Sequence, residues 1–199
     1  TAARNGRRVL LIEKMEKSGR KVRITGKGRC NVTNARPAEE FAEQVRTNAG
    51  FFAQAFAEFN NRATIRFFER AGVKLEIERG ERVFPKSGKA WDIANALLEY
   101  CFENGVKIIY DTRVTEIMTL GNRVFGVKYI NRRGFERKEE CAQVILATGG
   151  ASYPMTGSTG DGYALAASAG HTLIPREAVL SALETAEAWP RDLQGLALK

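Results

Sequence analysis

Apolar residues in this chain follow two patterns, short runs and repeats of three or four positions, which predict strands and helices in alternation. The runs at residues 8–12 and 143–147 are typical of strands buried in a parallel sheet. The repeats predict helices over residues 38–71, 90–103 and 163–169. Residues 1–5 resemble the end of a helix that stops at Asn5-Gly6.

Shorter strands are predicted between these elements, at residues 73–77, 82–84, 106–110, 113–120, 124–130 and near Phe135. Gly121-Asn122 is a two-residue hairpin signal, so the strands on either side of it are expected to belong to an antiparallel meander. The pattern as a whole predicts an α/β fold with a parallel sheet, a helical excursion and an antiparallel β-meander. We place one domain at residues 1–174 and the beginning of a second at 175–199, where proline and alternating residues change the pattern.

The composition is that of an ordinary globular protein, with 44% hydrophobic and 27% charged residues. No apolar stretch approaches the roughly 18–20 residues that cross a bilayer, so we expect no membrane partner. Three well-separated cysteines and a single histidine favour neither a disulfide framework nor a metal site, and they predict a cytoplasmic protein. The net charge is +8, but basic pairs such as Arg132-Arg133 alternate with acids, and we expect no nucleic-acid partner.

Glu13 follows the first apolar run, where dinucleotide-binding folds place an acid that accepts hydrogen bonds from ribose hydroxyls. Such an acid lies about 20 residues after a GxGxxG turn. Because only 12 residues precede Glu13, we expect that turn and its strand upstream of Thr1. The second run ends in Thr148-Gly149-Gly150, whose glycines leave room for a ligand beside the backbone. We therefore expect a Rossmann-like domain in which the tips of these two strands lie side by side.

Residues 18–31 are rich in glycine and basic residues, and we expect an irregular loop there rather than a packed regular element. Gly26 and Gly28 would weaken a strand interior, but they suit a loop whose backbone approaches a flat or anionic ligand. The backbone amides of residues 25–31, with Lys27 and Arg29, suit a pyrophosphate or the charge of a reduced flavin. Cys30 is open to two interpretations, a redox role or a small residue that fills a tight loop.

Two long motifs make the picture specific. GRKVRITGKGRCNVTN at residues 19–34 and ATGGASYPMTGSTGDGYALAASAGH at residues 147–171 resemble the FAD-dependent oxidoreductases of the aminoacetone-oxidase and dehydro-bile-acid-reductase type. That family belongs to the glutathione-reductase-like flavoprotein superfamily, and the resemblance covers essentially the whole chain. It implies a Rossmann-like FAD-binding domain, incomplete at the N-terminus, followed by the start of a substrate-side domain. It also implies an enzyme with FAD as redox centre, a small organic substrate, and NAD(P)H or oxygen as redox partner.

The resemblance also implies where the cofactor binds. Glu13 would contact the adenosine ribose, and Val114 the adenine through its backbone. Arg20, Lys21 and the loop at residues 25–31 would run along the pyrophosphate and flavin. Thr148-Gly149-Gly150 would pass close to the ADP half, and Asp161 with its flanking glycines would lie at the flavin end. The complete set of candidate cofactor-binding residues is Glu13, Lys14, Arg20, Lys21, Thr25, Gly26, Lys27, Gly28, Arg29, Cys30, Asn31, Val114, Thr148, Gly149, Gly150, Gly160, Asp161 and Gly162.

Two other interpretations of the chain stay open at this point. The first is a non-catalytic, basic α/β binding module. The second is an inactive remnant that retains only the fold pattern. Bound flavin favours the enzyme over both, whereas strongly salt-dependent nucleic-acid binding without flavin favours the first.

Overall fold

Three small sheets, joined and covered by helices, make up the described part of the protein. The computed structural model describes residues 1–176, 185–193 and 196. The strands are β1 (Leu10–Ile12), β2 (Thr33–Asn34), β3 (Leu75–Glu78), β4 (Arg82–Pro85), β5 (Lys107–Ile109), β6 (Thr112–Leu120), β7 (Arg123–Asn131) and β8 (Glu136–Glu140). The α-helices are α1 (Arg20–Gly28), α2 (Ala38–Glu43), α3 (Ala49–Glu58), α4 (Asn61–Arg70), α5 (Ala90–Glu103) and α6 (Asp161–Ser168). Short 3-10 helices cover Ala3–Asn5, Pro154–Thr156 and Trp189–Arg191.

The sheet that positions the site pairs β1 with β5 in parallel, with Leu10 opposite Lys107 and Ile12 opposite Ile109. A second sheet has the antiparallel order β2-β4-β3, and the third is the antiparallel meander β6-β7-β8. The predicted hairpin is confirmed, because Gly121 turns the chain between β6 and β7 with a φ of 57°. The mixed α/β architecture therefore agrees with the predicted fold class.

Two apolar clusters hold these elements together. One packs α1, α4 and α5 around Phe68, Ala90 and Ile93, and Cys30 is buried in it. The other packs the meander against α6 through Ile117, Val127 and Leu165. Ile12 of β1 and Val144 both lie against this second cluster, so the two predicted strand regions share one core.

The predicted helix over residues 38–71 is divided into α2, α3 and α4. Asn48 adopts a left-handed conformation at the start of α3. The side chain of Asn60 accepts a hydrogen bond from the Ala63 amide and begins α4. Phe41, Phe52 and Phe56 stack on one another, as their spacing indicates, but this stack joins the helices locally rather than entering either buried cluster.

The prediction of a buried strand at residues 143–147 is wrong. These residues form no strand, and the side chain of Ile145 is 81% exposed. A strand needs a neighbour to pair its backbone amides and carbonyls, and no described strand runs beside this segment. Apolar character alone therefore did not create the strand.

The prediction of an irregular loop over residues 18–31 is wrong at its start and holds further on. The first turn of α1 is helical, with Val22 packed against the first cluster. The helix breaks at Thr25, where ψ is 152°, and Gly26 and Lys27 follow with left-handed angles. Burial of Val22 explains the helical turn, and the glycine on either side of Lys27 permits the break.

The predicted change of domain after residue 174 falls in part on residues 177–184, 194–195 and 197–199, which lie outside the described residues. None of the helices in the described part of the chain has the length and apolar character that a membrane crossing requires.

Candidate functional site

The end of β1 and the start of α6 meet through Lys14. The Lys14 Nζ donates hydrogen bonds to Asp161 Oδ2 at 2.9 Å and to Thr159 Oγ1 at 2.6 Å. The Thr159 hydroxyl also donates to the other carboxylate oxygen of Asp161, at 2.6 Å. Hydrogen bonds from Thr159 and Lys14 hold the pKa of Asp161 below its ordinary value. These contacts, which we call the Lys14 clamp, join residues 147 positions apart in the sequence.

Glu13 lies at the tip of β1, as predicted. Its amide donates to the Ile109 carbonyl and its own carbonyl accepts from the Thr112 amide, so the backbone is fixed on β5 and the start of β6. One carboxylate oxygen accepts a hydrogen bond from the Met15 amide at 2.9 Å. The other has no partner among the described residues, which leaves it available to a ribose hydroxyl.

The second of the two sequence motifs, residues 147–171, is called here the second glycine motif. It packs against the segment that follows β1 and against itself. Gly160 donates its amide to the Gly150 carbonyl at 3.1 Å. A side chain on Gly162 would overlap the Thr148 hydroxyl. One on Gly157, which has a φ of 95°, would come within 2.8 Å of Met15 Cγ. The absence of side chains therefore lets these segments approach each other closely.

The loop at residues 25–31 presents bare backbone to solvent. Gly26, Lys27 and Gly28 are exposed and have positive φ angles. Asn31 is also exposed, whereas a Cβ on Gly26 would lie 3.0 Å from the Asn31 amide nitrogen and from the Phe84 ring. This conformation suits the predicted role of a loop whose backbone faces a ligand.

Not all of the predicted basic residues gather at the same place. Lys21 does lie at the second motif, where its Nζ donates to the Ser152 carbonyl at 2.8 Å and sits 4.5 Å from the Tyr153 ring centre. Arg29, in contrast, pairs with Glu78 and stacks over Phe84, on the side of the β2-β4-β3 sheet. Arg29 is therefore engaged within the protein and contributes to the loop's structure.

Arg20 and Cys30 are likewise held by their own surroundings. Arg20 pairs with Glu16 at 2.7 Å, within the segment that leads into α1. Cys30 is 5% exposed, and burial raises the pKa of its thiol, although a hydrogen bond with Thr25 acts in the opposite direction. A buried thiol with a raised pKa favours the packing interpretation of Cys30 over the redox one.

Val114 lies on β6 with its side chain against the second apolar cluster, so only its backbone is available to a ligand. The register of β6 against β7 shifts between Val114 and Glu116. Such bulges often lie beside functional sites, because they free backbone groups from the ladder. The geometry suits the backbone contact that the resemblance implies.

Sequence reasoning missed several residues at this edge. Met15, Ser152 and Thr159 contact predicted site residues through the hydrogen bonds and close approaches described above. Thr159 precedes the N-cap residue Gly160 and makes no capping hydrogen bond, so the sequence carried no signal for its contact with Lys14. Arg23 had no signal either. Its guanidinium stacks 3.5 Å from the Trp91 ring centre, and its buried Nη1 has no partner among the described residues.

These features fit FAD. Exposed glycine backbone at residues 26–28 and a free carboxylate oxygen of Glu13 at a parallel strand tip are groups that a dinucleotide needs. Lys14 and Lys21 hold the neighbouring segments through their contacts with Asp161 and Ser152. The close packing of Gly162 on Thr148 holds the start of α6 against the Thr148-Gly149-Gly150 segment. The fold and the site together define a Rossmann-type protein of the FAD-binding class.

Comparison with known proteins gives the family. Residues 1–180 match the HI0933-like protein Rossmann domain family, and the chain belongs to it. This is a family of the FAD-dependent oxidoreductase type, as the two sequence motifs imply. The predicted recognition, cofactor and enzyme class are thereby confirmed at the level of the family.

Three relatives each match most of this chain. The 3-dehydro-bile acid delta(4,6)-reductase of Clostridium scindens is 33% identical over 167 residues, which cover 84% of this chain and 39% of that protein. The ribosomal RNA dihydrouridine synthase of Haemophilus influenzae is 29% identical over 180 residues, 89% of this chain and 43% of that protein. The enzyme of the same name from Escherichia coli is 29% identical over 196 residues, 98% and 47% respectively. The chain thus spans less than half the length of these relatives.

Solved structures share the fold. The 3-ketosteroid-delta4-(5alpha)-dehydrogenase of Rhodococcus jostii, in complex with 4-androstene-3,17-dione, superposes with a TM-score of 0.55 at 17% identity, over 76% of this chain and 43% of that one. Mycobacterium smegmatis Sdh1, in complex with UQ1, superposes with a TM-score of 0.58 at 19% identity, over 84% of this chain and 35% of that one. At such identities the likeness concerns the fold alone.

Proposed function

We propose that this protein reduces a carbon–carbon double bond conjugated to a carbonyl in a small organic substrate, with FAD as redox centre and NAD(P)H as electron donor. The Lys14 clamp is the structural observation that carries the proposal. It holds the tip of β1 against the start of α6, which brings the Glu13 carboxylate and the second glycine motif into one region of the molecule. One extended cofactor can contact all of these groups at once.

The names of the relatives support this chemistry. One describes reduction of double bonds in a bile acid that carries a 3-oxo group, and another describes a uridine whose ring double bond has become saturated. Both reactions add a hydride and a proton across a double bond next to a carbonyl. In the reaction proposed for this protein, NAD(P)H supplies the two electrons and is oxidised to NAD(P)⁺. Bound FAD supplies the hydride chemistry, and the protein's part is to bind and orient the cofactor and substrate.

A uridine in RNA is the second candidate substrate. Two relatives are named ribosomal RNA dihydrouridine synthases, and they align with 89% and 98% of this chain. The net charge of +8 also suits a polyanionic substrate. These observations do not support the expectation of no nucleic-acid partner, so the substrate must be chosen by experiment.

Two assays decide between the substrates. The full-length protein is purified, its flavin absorbance is recorded, and the flavin is reduced anaerobically with NADPH or NADH. Reoxidation is then followed with a steroid 4-en-3-one and, separately, with a uridine-containing ribosomal RNA transcript. Rapid reoxidation of the flavin by the steroid supports a small organic substrate. Rapid reoxidation by the transcript supports a uridine in RNA. Absence of bound flavin, or reoxidation by neither substrate, would refute the proposed function.

Glu13→Gln tests the binding of the cofactor itself. The variant loses a charge-assisted hydrogen bond to a ribose hydroxyl, worth about 1.5–3 kcal/mol. We expect FAD affinity to fall by roughly one to two orders of magnitude in calorimetric titration of the apoprotein. Glu103→Gln, at the exposed end of α5, is the matched control and should bind FAD as the parent does. Equal affinities for Glu13→Gln and parent would contradict the ribose contact.

Two assignments from the sequence accompany this function. Residues 1–174 form the cofactor domain in our proposal, and a substrate-side domain begins at residue 175. The protein acts in the cytoplasm, a location that suits the unpaired thiols of Cys30, Cys101 and Cys141.

A further inference from the structure

A basic cavity lies at the turn between β7 and β8, outside the set of cofactor-binding residues. Its volume is about 430 Å³. Three arginines line it, Arg132, Arg133 and Arg137, together with the aromatic rings of Tyr110 and Phe135. The sequence places these arginines among acids, yet the fold brings them around one opening. We call this cavity and its rim the arginine surface.

The arginine surface carries an excess of positive charge. Asp111 is the one carboxylate in its lining, and it lies 4.0 Å from Arg132 Nη1, at the limit of an ion pair. Arg133 and Arg137 have no acidic partner among the described residues. Arg137 Nη1 donates instead to the backbone carbonyl of Glu136, at 3.2 Å.

Strand geometry separates the Glu136 side chain from this surface. In β8 successive side chains point to opposite faces of the sheet, so Glu136 and Lys138 lie on the face opposite to Arg137. The Glu136 carboxylate accordingly acts on Lys128 of β7, whose pKa is raised chiefly by a hydrogen bond to Glu116 and also by Glu136. Glu139, two residues after Arg137, lies on the same face of β8 as Arg137 but does not line the cavity.

The chemistry of the lining matches a nucleotide unit of a strand. Guanidinium groups bind phosphate oxygens in a fixed planar geometry, and an exposed aromatic ring can stack on an unpaired base. The Arg132 side chain is 82% exposed and Phe135 is 55% exposed. A site for a free small molecule usually encloses most of its ligand, whereas this open rim suits a chain that continues beyond it.

We propose that the arginine surface binds the phosphate backbone of single-stranded RNA. The surface adjoins the segment that follows β1, because the Asp111 amide donates to the Met15 carbonyl at 3.1 Å and the Tyr110 and Ser18 hydroxyls lie 3.3 Å apart. A strand held there passes beside the candidate cofactor edge. The inference goes beyond the proposed reduction, since RNA binding can occur and be measured without turnover.

The test measures binding of a fluorescein-labelled single-stranded oligouridine to the FAD-loaded, full-length protein by fluorescence anisotropy. The triple variant Arg132→Gln/Arg133→Gln/Arg137→Gln should raise the Kd roughly tenfold or more at moderate salt. The dependence of log K on log salt should also become shallower by about 2, because about 0.7 is lost for each phosphate contact in a single strand. Phe135→Leu should weaken binding and leave that slope unchanged.

The matched control removes the same charge elsewhere. Arg62→Gln/Arg66→Gln/Arg70→Gln changes three exposed arginines of α4 and should bind the oligouridine as the parent does. Flavin content and the reduction of the flavin by NAD(P)H should stay normal in both triple variants. These two measurements test the reductase proposal independently of RNA binding. If the first triple variant loses flavin, Arg133→Gln and Phe135→Leu decide in its place.

Three results would overturn the proposal. The first is unchanged RNA binding in the triple variant of Arg132, Arg133 and Arg137. If that variant loses its flavin, unchanged binding in Arg133→Gln and Phe135→Leu has the same meaning. The second is an equal loss in both triple variants, which would indicate a general effect of net charge. The third is complete displacement of the oligouridine by equimolar uridine monophosphate, which would identify a free nucleotide as the ligand.

Discussion

Breaking the Lys14 clamp should weaken FAD binding as well as the fold, because the clamp holds together two segments that we propose to contact the cofactor. The perturbation is a double-mutant cycle with Lys14→Met, Asp161→Asn and both together. The two side chains are 25% and 34% exposed, so solvent screens the pair substantially. Surface pairs contribute up to about 1 kcal/mol, and the shared hydrogen bonds with Thr159 place this one near that upper value. We expect a coupling energy of about 1 kcal/mol in urea unfolding.

The effect on FAD follows from the same contact. Without the clamp, the segment after β1 and the start of α6 must be ordered when the cofactor binds, and this ordering opposes binding. About 1 kcal/mol corresponds to roughly a fivefold increase in the Kd of FAD for either single variant. Calorimetric titration of the apoproteins gives the Kd, and denaturation of the same samples gives the coupling.

A second ion pair provides the control for this cycle. Lys128 and Glu116 join β7 to β6 within the meander. Glu116 lies four residues along β6 from Thr112, whose amide bonds to the Glu13 carbonyl at the tip of β1. Lys128→Met and Glu116→Gln should leave the Kd of FAD unchanged. The reasoning fails if the Lys14 and Asp161 variants show no coupling, or if both ion pairs alter FAD binding equally.

Two further results are expected. Gly28→Ala and Gly72→Ala place a side chain at nearly equal positive φ angles, 84° and 81°, so each should cost about 1 kcal/mol of stability. Only Gly28→Ala should also weaken FAD binding. Equal flavin content in the two variants would contradict the prediction that the loop faces a ligand. Because the pKa of Asp161 is lowered in the folded protein, its contribution to stability is present above the ordinary aspartate pKa of about 3.9 and disappears as pH falls through the lower, folded value. Urea unfolding across pH should therefore show the parent's advantage over Asp161→Asn shrinking below about pH 4, and a constant difference down to the lowest pH would count against this.

Local pattern was sufficient for much of the fold. The bounds of α5 agree with its prediction, because a buried stripe and the Asn104-Gly105 stop are both encoded within one segment. The β6–β7 hairpin follows in the same way from Gly121 and the alternation on either side of it. The position of Glu13 at a strand tip also depends only on the residues immediately before it.

Contacts between distant segments decided what local pattern could not. Residues 143–147 have the composition of a buried strand, but pairing requires a neighbour, and none of the described strands provides it. The sequence shows Arg29 as a basic residue in a glycine loop, whereas its partner Glu78 comes 49 residues later. Burial of Val22 against residues of α4 and α5 produced a helical turn where glycine content alone indicated a loop.

The family resemblance, the strand tip with its acid and the two motifs that we propose to flank the cofactor can all be read from the chain, because each is encoded in consecutive residues. Tertiary structure decided which charges meet. Lys14 reaches Asp161 across 147 residues, and Tyr110 and Asp111 line the same cavity as Arg132 and Arg137. The energy of two charges depends on their separation in space, which the fold sets and their separation along the chain does not.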